Sequence, residues 1–166
     1  MNNHLQAINH AYPTKTLERF WKKVDQSGDC WEWIAGKDGD GYGAFWLDGK
    51  VQLAHRVAYR LAHGSIPAGK HLDHKCWNPS CVNPAHLRPV TPKQNHENRK
   101  GAPRNSTSGI RGVSWDKAAR QWRATVIHNN RYHHAGAFAT REEAAEAARQ
   151  LRLSLFTHND ADRRSA

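Results

Sequence analysis

Apolar residues recur at helical spacing through Leu17, Phe20, Trp21 and Val24, which predicts a short amphipathic helix over 15–26. Ser27-Gly28-Asp29 ends it, and Cys30 to Ile34 reads as a strand. Tyr42 to Leu47 and Lys50 to Leu53 flank Asp48-Gly49, a pair that favours the tight turn of a hairpin. Ala54 to His63 predicts a helix with Val57, Ala58 and Leu61 on one side and Gly64 at its end. Lys70 to Asp73 suits a short strand, and the proline-rich stretch 77–89 predicts loop. Thr91 suits an N-cap and Pro92 a first helical position, so a helix is expected over roughly 92–99.

Residues 100–108 carry no large apolar side chain and have the composition of a linker. Beyond them the period changes. Ile110 to Trp115, Trp122 to His128 and Tyr132 to Phe138 read as three strands, with Asn129-Asn130 as a tight turn between the last two. Thr140 and Glu143 form a capping box opening a helix with Ala144, Ala148, Leu151 and Leu155 along one stripe. Alternation sends Trp122, Ala124 and Val126 toward that helix and Arg123, Thr125 and Ile127 away from it. The expected organisation is α+β: a first module over 15–99, a linker over 100–108, and over 109–157 a three-stranded antiparallel sheet packed on one helix.

Composition narrows the role. Apolar residues make up 38% of 166, low for one large core and better suited to two small stapled modules. The net charge is +10, the footprint of a protein that neutralises phosphates. Residues 1–98 carry 12 basic and 9 acidic groups, and 99–166 carry 13 and 6, so the excess lies mostly in the linker and second module. Three cysteines do not pair evenly, which argues against a disulfide framework. The polar N-terminal stretch reads as loose chain with no secretory signal, and no apolar run approaches membrane-spanning length. A reducing, cytoplasmic setting in a bacterial or phage-infected cell is expected, where cysteines bind metal more often than they bridge.

The densest chemistry lies between Asp73 and Asn95. Cys76, Cys81 and His86 are soft ligands in a loop with little else to hold it folded, and Cys30 is the one remaining thiol. A site of three cysteines and one histidine would satisfy the tetrahedral preference of Zn2+. On the plainer alternative, Cys30 is a small buried hydrophobe and Cys76 and Cys81 are ordinary loop thiols. His74 is the well-placed base, with an intrinsic pKa that leaves much of it neutral near pH 7. Asp73 and Asn95 offer oxygen donors suited to Mg2+. Of the remaining histidines, His10, His63, His71, His128, His133 and His158 read as solvated or satisfied surface groups, and His96, beside Asn95, as a candidate phosphate contact.

The order and spacing of His74, Cys76, Cys81, His86 and Asn95 resembles the HNH superfamily of ββα-metal nucleases, and within it the His-Cys box homing endonucleases. The adjacent Asp73-His74 and the Asn95-x-x-Asn98 pattern resemble phage HNH homing endonucleases, as do Cys30-Trp31, Gly41-Tyr42-Gly43, Ala54-His55-Arg56 and Asn83-Pro84. The likeness covers roughly 16–99. It implies that His74 is the general base, that Asp73 and Asn95 share a catalytic cation, and that Cys30, Cys76, Cys81 and His86 bind structural zinc. Arg56 would neutralise the scissile phosphate or, equally, form an ion pair on the helix surface. A second cysteine cluster of the His-Cys box kind is missing downstream, which removes the expectation of a second zinc and of a dimer like that of the His-Cys box enzymes.

Residues 109–156 resemble an AP2 DNA-binding domain through Arg111-Gly112-Val113, Trp122-Arg123-Ala124 and Gly136-Ala137-Phe138. The resemblance implies a sheet laid in the major groove of double-stranded DNA. Arg123 and Thr125 would face it, with Arg111, Trp115, Arg131, Tyr132 and His134 as further candidates; Trp115 is equally suited to the core. Fewer arginines occupy the sheet than in plant AP2 factors, so no target sequence carries over.

The expected function is a Mg2+-dependent homing-type DNA endonuclease with no membrane role, acting as a monomer or homodimer. The competing readings are a zinc-stapled regulator that binds DNA without cutting it and, on the aromatic residues Trp115 and Tyr132, an RNA-binding protein.

Overall fold

The computed structural model describes residues 12–164, which form two compact α+β units, one running to Pro92 and the other from Lys93 onward. Most of the polar N-terminal stretch, His10 included, lies outside the described residues.

The first unit contains α1 (Thr14–Trp21), β1 (Val24–Asp25), β2 (Glu32–Trp33), β3 (Ala44–Leu47), β4 (Lys50–Leu53), α2 (Ala54–His63), β5 (His71–His74), a 3-10 turn (Pro84–His86) and β6 (Leu87–Val90). The strands pair as three antiparallel ribbons, β1 with β2, β3 with β4 and β5 with β6. The first helix stops at Trp21, short of the expected 26, because Val24 pairs with Trp33 and Asp25 with Glu32. A β-branched residue at the end of an amphipathic run joins a ribbon more readily than it extends a helix. Asp48 and Gly49 take φ of 52° and 75°, the left-handed pair that closes a two-residue hairpin.

Small ribbons of this size are held by the core they cover. Phe20, Trp33, Phe45, Leu47, Val57, Leu61 and Val82 form that core, with the Phe20 ring edge-on to Phe45 at 5.1 Å and tilted against Trp33 at 5.2 Å. Gly43 lies against it, and a Cβ there would come within 2.5 Å of the buried Trp33 ring. The stretch 77–89 is not all loop. Leu87–Val90 pairs with His71–His74, and Pro89 fits because a two-stranded ribbon leaves its edge unpaired.

The second unit holds α3 (Pro92–Glu97) from Lys93 onward, then β7 (Val113–Asp116), β8 (Gln121–His128), β9 (Arg131–Phe138), α4 (Arg141–Leu155) and α5 (Asp160–Arg164). β7, β8 and β9 make one antiparallel sheet, and α4 packs on it through Val113, Ala124, Ala144 and Ala148. The capping box is formed on both sides, with Thr140 Oγ1 accepting from the Glu143 amide and the Glu143 carboxylate accepting from the Thr140 amide. Asn129 and Asn130 both take positive φ at the β8–β9 turn.

The stretch 100–108 forms no helix or strand, but its last residue is built into this unit. Ser108 is buried, and its hydroxyl donates to the carbonyl of Val113 at 2.6 Å. The helix stripe includes one residue that hydrophobicity did not mark. Arg152 is buried beside Ala148, forks onto Asp162 at 2.7 and 2.8 Å, and donates to the Arg111 carbonyl.

Candidate active site

Four soft ligands converge in the first unit. The ligand atoms of Cys30, Cys76, Cys81 and His86 all lie within 4.8 Å of one another. His86 Nδ1 is 3.5 Å from Cys81 Sγ and 3.7 Å from Cys30 Sγ. A tetrahedral zinc with ordinary bond lengths separates its sulfur and nitrogen ligands by about 3.5–3.8 Å. The four side chains therefore fit a zinc ion in both donor type and spacing. The remaining ring nitrogen of His86 lies 3.4 Å from the Asp29 carboxylate, which fixes the ring for ligation through Nδ1. A hydrogen bond from Cys81 draws the Cys76 thiol down, and Cys81 is raised in return.

The loop that carries these ligands is tied down by polar contacts. Glu32 accepts from Asn78 and from the Ser80 hydroxyl, and Asn83 donates to the carbonyl of Asp29 at 2.9 Å. Asn83 also caps the short turn before His86 by accepting from the Ala85 amide. These two bonds pin the loop backbone on either side of Asn83.

His74 ends β5 and is buried. Its Nε2 lies 3.0 Å from the carbonyl oxygen of Cys81. A carbonyl only accepts, so Nε2 carries the proton and the lone pair of the neutral ring sits on Nδ1. Burial pushes the His74 pKa below the ordinary histidine value, which keeps the ring neutral at physiological pH. Asp73 precedes it and pairs across the ribbon with Arg88, whose Nε and Nη2 both lie 2.9 Å from Oδ2.

Arg88 was not singled out by the sequence, and His55 entered only within the Ala54-His55-Arg56 motif, with no role of its own. Arg88 becomes legible only once β6 is recognised, because the register then sets it opposite Asp73. His55 lies on the buried stripe of α2 with Ala58 and Tyr59, three and four residues on, and a polar residue on such a stripe was the available signal. Its ring meets the His74 ring edge-on at 4.8 Å, and Tyr42 lies 5.2 Å from His55 and 5.9 Å from His74. Burial, with help from His74 and Arg56, lowers the His55 pKa to about 3. Arg56 is half-buried in the first turn of α2 and makes no ion pair among the described residues, so the expected alternative of a surface ion pair is not met.

In the second unit the outer sheet face carries Arg123, Thr125, Ile127, Tyr132 and His134. Ile127 pairs with Tyr132, and these are 58% and 69% exposed. Thr125 Oγ1 lies 3.1 Å from His134 Nδ1, and Arg123 forms an ion pair with Asp116. Arg131 is exposed at the start of β9.

Two expected members of that face are elsewhere. Trp115 lies directly opposite Trp122 with ring centroids 5.0 Å apart, so strand alternation turns it to the helix side. Arg111 donates to the carbonyls of His96, Glu97 and Arg99 at 2.9–3.1 Å and stacks over Phe156. Its guanidinium satisfies backbone acceptors instead of projecting from the sheet. His128, expected at the surface, is half-buried with Nε2 3.6 Å from the Glu97 carboxylate.

Comparison with known proteins divides the chain a few residues later than the compact units do, with α3 on the first side. Residues 52–97 match a family model described as HNH endonuclease, and residues 108–158 match one described as AP2 domain. The chain joins an HNH endonuclease domain to an AP2 domain. It is similar to Protein 7.7 of Escherichia phage T7, 44% identical over 69 residues that make up 42% of this chain and 53% of the relative. Protein 2.8 of the same phage is 45% identical over 83 residues, 49% of this chain and 54% of the relative. An uncharacterized HNH endonuclease, L560, of Acanthamoeba polyphaga mimivirus is 31% identical over 127 residues, 76% of this chain and 63% of the relative. The chain thus spans about half the length of the two phage relatives. No solved structure matches it. The HNH match takes in Asp73, His74 and Asn95 together, and the AP2 match takes in the whole three-stranded sheet with α4. Among the described residues, no helix is long and apolar enough to cross a membrane.

Proposed function

We propose that this protein is a metal-dependent DNA endonuclease of the homing type, in which the HNH domain cuts and the AP2 domain holds double-stranded DNA. The observation that carries the reading is the setting of His74: buried, with burial holding its pKa below the ordinary value, and with Nε2 facing the Cys81 carbonyl. Nδ1 is thereby prepared to accept a proton from water attacking the scissile phosphorus in line, and the 3′ oxygen departs. A divalent cation such as Mg2+, held by the hard oxygen donors Asp73 and Asn95, would supply positive charge to the phosphate and the leaving oxygen.

Arg88 keeps the Asp73 carboxylate oriented. Arg56, which has no ion-pair partner among the described residues, is a cation available to the phosphate. Zinc on Cys30, Cys76, Cys81 and His86 would hold the loop whose Cys81 carbonyl fixes His74. On the AP2 domain, Arg123, Thr125, Arg131, Tyr132 and His134 are the proposed DNA contacts, and Arg111 and Trp115 are left out of the set. A single nuclease site of this kind cuts one strand per event, and a double-strand break would require a dimer or a second event. The phage relatives favour action on DNA inside an infected cell.

The test is incubation with plasmid and phage DNA in Mg2+, with and without EDTA. Cleavage that EDTA stops is expected; binding without cleavage under all divalent cations would replace this reading with that of a regulator.

A further inference from the structure

The helix that carries Asn95 is too short to hold itself. α3 has six residues, and isolated helices of that length do not persist in water. Its last carbonyls lack intrahelical partners, as at every helix end. Arg111 supplies them: Nη1 donates to the carbonyls of Glu97 at 3.0 Å and Arg99 at 2.9 Å, and Nη2 to that of His96 at 3.1 Å. The cation thus stands at the negative end of the helix dipole with three directed hydrogen bonds.

The same turn is bolted at its side chains. Glu97 is buried and accepts from the Thr157 amide and hydroxyl, both at 3.0 Å, and from the His158 amide at 3.2 Å. Asn98 Oδ1 accepts from the Asp160 amide at 3.1 Å. All of these partners belong to the second unit. Arg111 is itself held by the Phe156 ring, 5.2 Å away, and its carbonyl accepts from Arg152 at 2.6 Å.

We infer that Arg111 is a positioning residue for the nuclease reaction: by capping α3 it fixes the oxygen donor of Asn95. The inference rests on the assignment of Asn95 as a cation ligand. An arginine at this sheet position looks from the sequence like a DNA contact, and the two roles separate experimentally.

The 166-residue chain is compared with Arg111→Lys, which keeps the charge and loses the fork, and with Asn95→Ala as reference. Mn2+ affinity without DNA is read by electron paramagnetic resonance, amide hydrogen exchange is read over 95–99, and DNA affinity is read in EDTA across a salt series. Expected for Arg111→Lys are faster exchange at those amides and Mn2+ affinity lowered about ten-fold, the scale of losing a residue that orients a metal ligand. DNA affinity and its salt slope should stay at the wild-type values. A weaker, less salt-dependent DNA complex with unchanged Mn2+ affinity would make Arg111 a phosphate contact and overturn the inference. If Arg111→Lys does not fold, Thr157→Val decides, since it removes the Thr157 hydroxyl's bonds to Glu97 and His158 and leaves Arg111 in place: lowered Mn2+ affinity supports the inference and unchanged affinity overturns it. Unchanged Mn2+ affinity in Asn95→Ala removes the assignment of Asn95 itself and the inference with it, whereas a fall in Asn95→Ala without one in Arg111→Lys overturns the inference alone.

Discussion

The carbonyl oxygen of Cys81 accepts the Nε2 proton of His74 at 3.0 Å, and the thiol of that same Cys81 is one of the four converging soft ligands. One residue therefore joins the loop staple to the orientation of the proposed base. On the proposed function, zinc binding and catalysis would be coupled through that single residue.

That coupling predicts a joint loss. Cys81→Ser should lower zinc content, thermal stability and cleavage together, since structural zinc is folding energy. Metal analysis of the purified protein, circular-dichroism melts and a nicking assay report the three. Active, folded protein that contains no zinc would break the link.

His74→Ala should leave the fold and DNA affinity in place while slowing cleavage by about 10²–10⁴-fold, the usual contribution of a general base. Single-turnover nicking with a matched gel-shift titration measures both. Wild-type cleavage by this variant would move the base to another residue.

Acid should act on the two units in different windows. His55 has a folded pKa depressed to about 3 from an ordinary 6.5, so its contribution is complete above pH 6.5 and is lost progressively as pH falls below that value. Glu97 lies below its ordinary 4.5, because the hydrogen bonds from His158 and Thr157 and the charge of Lys93 outweigh burial, so its contribution persists until pH drops below about that value. Residue-resolved hydrogen exchange from pH 7.5 to 4 should show protection falling first in the core around Trp33 and α2. His55→Phe should flatten the decline above pH 5; an unchanged decline would assign it to another group.

Gly43→Ala should destabilise the first unit by about 1–3 kcal/mol, the range for forcing an extra methyl into a packed core. The new Cβ would fall 2.5 Å from Trp33 and 2.9 Å from the Ala54 methyl, and neither neighbour is exposed. Urea denaturation gives the value, and an unchanged midpoint would mean that the Trp33 ring yields.

Tyr132→Ala should weaken DNA binding about ten-fold, or ~1.4 kcal/mol, with the melting temperature unchanged, because Tyr132 is 69% exposed. Fluorescence anisotropy with duplex DNA provides the number. Equal affinity for the variant would take the outer sheet face out of the proposed interface.

Much of this protein is written locally. The hairpin at Asp48-Gly49, the α2 helix ending at Gly64, the Asn129-Asn130 turn and the Thr140 capping box depend on residues within a few positions of one another, and all four form as expected. The soft-ligand set was legible too, because three of its four members fall within one short loop and Cys30 was the one thiol left over. Partners distant in sequence were not legible. Arg88 reads as loop until β6 pairs with β5, and Arg111 reads as a sheet-face arginine until the end of α3 and Arg99 just beyond it offer it three carbonyls. Spacing along the chain fixes which side of an element a residue occupies, whereas the group it meets there depends on which other element is folded against it. For that reason the sequence determined the elements and the ligand types, and only the tertiary structure decided that the second unit's arginine caps the helix bearing Asn95.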